Sequence, residues 1–195
     1  MTLFQIDKIL KVKNPQVYRE NLAIAKQAES DENSKFWVAL ENESANKVKK
    51  LYDHTVHKER PFSGGESPLH IAAYKGNLEI VKILVEKSAD INARDEYFLS
   101  TPLLDACMKG HHDVVKYLLD KGAIVNVQDK ILESPLHKAI LYQNTNIVNL
   151  LLEYGANKAL TNIDGLTPAE ALRNFVRNSE LKVHHVGYFK IDDSD

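Results

Sequence analysis

The chain has 195 residues, 44% of them hydrophobic and 27% charged, and a formal net charge of -2. That balance fits a folded globular chain and gives no general electrostatic reason to bind nucleic acid or an anionic membrane. The single cysteine excludes an internal disulfide and favours a reducing compartment, cytoplasm or nucleus.

Residues 1–33 read as a helical hairpin. Leu3, Phe4, Ile6, Ile9 and Leu10 fit one short helix, and Asn14-Pro15 opens a second through Val17, Tyr18, Leu22, Ile24 and Ala25. The hairpin is expected to dock on the segment that follows; a private partner-binding element is the other reading. Asp7 and Lys8 interrupt the apolar stretch near the N-terminus, so no ordinary secretory signal is expected. No run approaches membrane-spanning length, so no membrane insertion is expected either.

From there a period governs the chain. Ser67-Pro68, Thr101-Pro102, Ser134-Pro135 and Thr167-Pro168 recur at intervals of 34, 33 and 33 residues. One period before Ser67 lies Ser34, and Phe36, Val38, Ala39, Val48 and Leu51 then take the places of Leu69, Ile71, Ala72, Val81 and Leu84. Lys47 and Lys50 replace Ile80 and Ile83, which makes residues 34–66 a worn, half-polar unit suited to capping an array.

Residues 67–166 hold three full units. Ile80, Val81, Ile83 and Leu84 return as Val114, Val115, Tyr117 and Leu118, then as Ile147, Val148, Leu150 and Leu151, each set forming one helical stripe. The pairs Ala72-Ala73, Ala106-Cys107 and Ala139-Ile140 recur where two helices approach closely. Each Ser/Thr-Pro pair caps and opens a first helix. Gly76 and Gly110 separate it from the second helix, and Gly122 and Gly155 follow the second. Gln143-Asn144 and Ser88 stand where a middle and a closing glycine are missing; Asn144 is expected to supply the left-handed residue of its turn. In 167–195, Ala171 and Leu172 continue a first helix, Leu181 and Val183 part of a second, and an acidic tail follows this second cap.

These motifs make the chain resemble the ankyrin-repeat family. The likeness rests on Ser67-Pro68-Leu69-His70-Ile71-Ala72-Ala73 with Gly76-Asn77-Leu78-Glu79-Ile80-Val81, and on Thr101-Pro102-Leu103, Gly110-His111 and Gly122-Ala123 in the next unit. Ser134-Pro135-Leu136-His137, Leu150-Leu151-Leu152 and Gly155-Ala156 continue it in the third. The resemblance covers about 62–172 and implies an all-α solenoid of antiparallel helix pairs, with projecting loops and a concave binding face. It also implies that His70 and His137 link neighbouring loops by hydrogen bonds, a link that Leu104 removes from the middle unit.

Chemical sites find little support. Cys107 and His111 are four apart, the spacing of a helical thiolate-imidazole pair, but Cys107 sits in the slot of Ala73 and reads as a small buried hydrophobe. The pairs His54 and His57, His111 and His112, and His184 and His185 have no Cys/Asp/Glu cluster to complete four metal ligands. Lys47, Lys49, Lys50, Lys58 and Arg60, diluted by Asp53 and Glu59, read as a solvated face rather than a nucleic-acid site. No catalytic residue, cofactor or metal is expected.

The functional signal is apolar side chains at loop tips and on the outward side of the first helices. Tyr97, Phe98, Leu99, Ile131 and Leu132 occupy the tips, and Tyr74, Met108, Leu141 and Tyr142 follow the buried alanine pairs. Together they are the expected partner-binding surface. Sideways packing of Leu99, Ile131 and Leu132 onto adjacent loops is the competing reading. The sequence thus points to a protein-interaction module, monomeric when free, acting as an adaptor, an inhibitor or a microbial effector. An enzyme with its site in residues 1–61 or 173–195, or a structural subunit of a larger assembly, are the alternatives.

Overall fold

A computed structural model describes residues 32–53 and 65–178. Helices α1 (Glu32–Glu41) and α2 (Ala45–Leu51) precede α3 (Pro68–Lys75), α4 (Leu78–Glu86), α5 (Pro102–Lys109) and α6 (His112–Asp120). Helices α7 (Pro135–Leu141), α8 (Thr145–Glu153) and α9 (Pro168–Asn178) complete the described part. The odd-numbered helices lie side by side in one row and the even-numbered ones in a second row behind it. Residues 1–31 of the expected hairpin, His54, His57, Lys58, Arg60 and the second helix and tail of 179–195 lie outside the described residues, and the last two residues of the 1–33 segment belong to α1.

The repeating stripe is what joins the rows. Leu84, Leu118 and Leu151 are fully buried in one continuous core, beside the small pairs Ala72-Ala73, Ala106-Cys107 and Ala139-Ile140. Each such leucine contributes about 1.5 to 3 kcal/mol by leaving water. Helices this short are marginal alone, so contact between neighbouring units holds them in place.

Helix boundaries fall at the expected punctuation. Ser67, Thr101 and Ser134 are the residues before α3, α5 and α7, each with extended backbone and followed by proline. Gly76 and Gly110 end α3 and α5 at φ 78° and 80°. In the third unit the left-handed residue is Gln143 (φ 58°), not Asn144, which is the N-cap of α8 at φ -85°. The Asn144 side chain reaches back instead, donating from Nδ2 to the carbonyl of Cys107 at 2.9 Å in the preceding unit. His111 at the same register does likewise, donating from Nε2 to the carbonyl of Tyr74 at 2.9 Å.

The first unit departs from the 33-residue projection. Helix α1 begins at Glu32, upstream of Ser34. Phe36, Ala39 and Val48 are buried as expected, but Val38 is 52% exposed and Leu51 only partly buried. Both line an open hollow with Lys35, Asn42 and Lys47. Trp37, Leu40 and Tyr52 supply the missing core instead. The Phe36 ring meets that of Trp37 edge-on at 5.1 Å and lies 5.5 Å from that of Tyr52.

His70 and His137 are buried and bonded at both ring nitrogens. Nδ1 of His70 accepts from the Ser67 amide at 3.1 Å, which assigns the proton to Nε2, and Nε2 donates to the carbonyl of Ser100 at 3.1 Å. His137 repeats this with the Ser134 amide at 3.2 Å and the carbonyl of Leu166 at 3.1 Å. Each ring thus ties a helix start to the loop of the next unit. Leu104, buried in the middle unit, makes no such tie.

Candidate functional site

The loops between units are built around one recurring acid or amide. Asp95 accepts from the amides of Tyr97 and Phe98 at 2.8 and 2.7 Å through Oδ1, and from Ser100 at 2.8 Å through Oδ2. Asp129 accepts from Ile131 and Glu133 at 3.0 and 2.9 Å, and Asn162 from Asp164 and Leu166 at 3.1 and 3.0 Å. A side chain that gathers its own loop's amides holds the tip without help from the apolar residues on it. Successive tips are joined by the amide of Lys130 donating to the carbonyl of Phe98 at 2.7 Å and that of Ile163 to Ile131 at 2.9 Å. Tyr97 and Phe98 are therefore fixed in place yet 63% and 69% exposed.

Where these tips face the first row of helices there is a cleft of about 550 Å³. Of the sequence-derived residues it brings together Tyr74 on α3, Tyr97 and Phe98 on one tip, Met108 on α5 and Ile131 on the next tip. Leu99, Leu132, Leu141 and Tyr142 do not line it. Leu99, Leu132 and Tyr142 are exposed, and Leu141 is partly buried. Leu99 and Leu132 adopt φ 52° and 59° at the turn position where Gly65 and Gly165 stand in the flanking loops. Leucine in the left-handed region costs roughly 1 kcal/mol or more, and here its side chain is not used by the core.

The floor of the cleft is polar, and apolar patterning gives no sign of it. Glu66, Asp95, Ser100, Asp105, Asp129 and Lys138 line it. Asp105 and Lys138 occupy the register of the buried Ile71, and this is where the sequence carries a signal: one helix position holds Ile, Asp and Lys in successive units. Lys138 pairs with Asp129 at 2.8 Å and closely with Glu133. Asp105 accepts the Ser100 hydroxyl at 2.8 Å. Burial pushes its carboxyl up to about 7, with the charges of Asp95 and Glu66 adding to the rise. On the wall, the Lys109 ammonium lies 4.3 Å from the centre of the Tyr74 ring.

No nucleophile is assembled from Cys107 and His111. Burial raises the Cys107 thiol far above its ordinary value, while His111 is turned to the carbonyl of Tyr74. Among the described residues no three His, Cys, Asp or Glu side chains are placed to hold a metal, and no helix is long and apolar enough to cross a membrane.

A family model of ankyrin repeats in three copies matches residues 10–95 and 96–162. The chain belongs to the ankyrin-repeat family. The first match begins inside the 1–33 segment that the sequence set apart as a hairpin. Among similar proteins is an ankyrin repeat protein of Rickettsia bellii, 31% identical over 62% of this chain and 38% of its own length. Ankyrin repeat and SOCS box protein 5 of Mus musculus is 41% identical over 53% of this chain and 31% of its length. BRCA1-associated RING domain protein 1 of Caenorhabditis elegans is 32% identical over 56% and 11%. The chain thus spans well under half the length of each of these relatives. Ankyrin repeats are generally protein-protein interaction modules and generally not enzymes.

Proposed function

We propose that this ankyrin array binds a protein partner in the cleft between its loop tips and first helices, as a non-enzymatic adaptor, inhibitor or effector. The observation that carries this reading is the convergence of exposed Tyr97 and Phe98 with Tyr74, Met108 and Ile131 on one cleft, although they come from different units. Aromatic anchors bury large area at low entropic cost, and the tip that presents them is already ordered by Asp95. Leu99, Leu132, Leu141 and Tyr142 extend the surface beyond the cleft in this reading. The free array is a monomer of the cytoplasm or nucleus, capped by α1 and α2 at one end and by α9 at the other.

The test is affinity purification followed by calorimetry with the recovered protein. Tyr97→Ala with Phe98→Ala should weaken binding by roughly thirtyfold or more per anchor while leaving the denaturation midpoint nearly unchanged. Tyr142→Ala, outside the cleft, should cost less than the pair. Wild-type affinity in the double variant would move the site elsewhere, with the segment around Tyr18 and Leu22 first in line.

A further inference from the structure

Charge in the cleft is arranged asymmetrically. Asp95 is committed to its own loop's amides, and Lys138 to Asp129 and Glu133. Asp105 has the Ser100 hydroxyl on one oxygen, and among the described residues no cation lies within ion-pairing distance of it. Glu66 lines the same cleft, as do the cations Lys138 and Lys130 and the exposed rings of Tyr97 and Phe98, and Asp105 is the carboxyl among them that neither lysine pairs directly. Buried carboxylates are ordinarily paired, and aromatic faces attract cations. The lysine beside the Tyr74 ring shows such an attraction already made within the chain.

We propose that the protein partner enters the cleft with a basic side chain, arginine or lysine, whose cation meets Asp105 while its apolar neighbours lie against Tyr97 and Phe98. This rests on the cleft being the binding site. The cation supplies the direct ion pair that Lys138, committed to Asp129 and Glu133, does not make with Asp105, and the rings cover its aliphatic stem. Because Asp105 titrates near neutrality when the cleft is empty, bringing a cation to it draws off a proton. The charged groups of the cleft around it are Glu66, Asp95, Lys138 and Lys130, with Asp129 and His70 behind them. Affinity for an arginine-containing segment should therefore rise by up to about tenfold between about pH 6 and pH 8.

The experiment is selection from a random linear peptide library on the full-length protein, followed by calorimetry of the selected peptides. The expected result is a shared arginine or lysine flanked by apolar residues, with the two basic residues distinguished by which one recurs. Replacing that residue by norleucine in the peptide should weaken binding at least tenfold, as should Asp105→Asn in the protein. If Asp105→Asn does not retain the wild-type helical signal, the norleucine peptide decides the matter, since it requires no variant at all. Peptides that need Tyr97 and Phe98 but tolerate norleucine and Asp105→Asn would overturn the cationic inference and leave the cleft reading standing. A selection that yields only peptides indifferent to Tyr97→Ala with Phe98→Ala would overturn both.

Discussion

His70 and His137 each take two hydrogen bonds that only a neutral ring with its proton on Nε2 can make. Burial lowers the pKa of both rings below the ordinary 6.5. Their folded pKa therefore lies below the unfolded one, so their contribution is present above about pH 6.5 and is lost as pH falls. Alanine at either position should cost about 1 to 3 kcal/mol at neutral pH, by leaving the partner carbonyl unpaired. Urea midpoints measured across pH check both statements, and the acid-side loss should shrink in His70→Gln. Asp105 has the opposite sign. Its pKa rises from 3.8 to about 7 on folding, so the folded state is favoured at acid pH and loses that advantage as pH climbs from about 4 to 7. Asp105→Asn should stabilise the free protein at pH 8 by an amount on the order of 3 kcal/mol, with the gain vanishing near pH 4.

Single helices in this array have little stability of their own and draw it from both neighbours. Leu118 of α6 is fully buried at the centre of the array, and Leu51 of α2 is partly buried beside an open hollow. Leu118→Ala should cost about 2 to 5 kcal/mol, and Leu51→Ala less, as chemical denaturation of the two variants would show. The left-handed glycines are a second test. A Cβ at Gly76 would fall 2.4 Å from Nδ1 of the His111 ring, which is held in place by the carbonyl of Tyr74. At Gly122 a Cβ would meet nothing within 4 Å, although its φ of 92° is also left-handed. Both alanine variants bear a backbone cost of roughly 1 kcal/mol, and Gly76→Ala adds the displaced histidine. Thermal unfolding should therefore rank Gly76→Ala as clearly the more damaging.

Across the whole molecule, stabilising and binding residues are separated. The stripe and the small pairs face inward between the two rows, whereas Tyr97 and Phe98 stand on tips that Asp95 holds by its own hydrogen bonds. A solenoid permits this because each tip needs only its own loop and its neighbour, so side chains on it are free to vary with the partner. Removing both rings should leave the unfolding free energy of the free protein, measured in urea, within about 0.5 kcal/mol of wild type, in contrast to Leu118→Ala. A large drop instead would mean that the tips carry the array and are not a spare surface.

The sequence alone determined the period, the helix starts at Ser67, Thr101 and Ser134, and the left-handed turns at Gly76 and Gly110, whereas the linking role of His70 and His137 came from the family resemblance. These are local decisions, made by capping groups, proline and glycine within a few residues, and repetition multiplied the signal. What happens at a break in the pattern was less legible. Gln143, at the register of Gly76 and Gly110, took the left-handed turn while Asn144 reached the carbonyl of Cys107, 37 residues away, and in the first unit Trp37 and Tyr52 were buried where Val38 was not. Only the tertiary structure decided that Tyr74, Tyr97, Phe98, Met108 and Ile131 share one cleft, that Leu99 and Leu132 lie off it, and that Asp105 and Lys138 form its floor. The reason is geometric: which side chains meet there depends on how successive units stack and on backbone turns of a single residue, and neither is written in any one repeat.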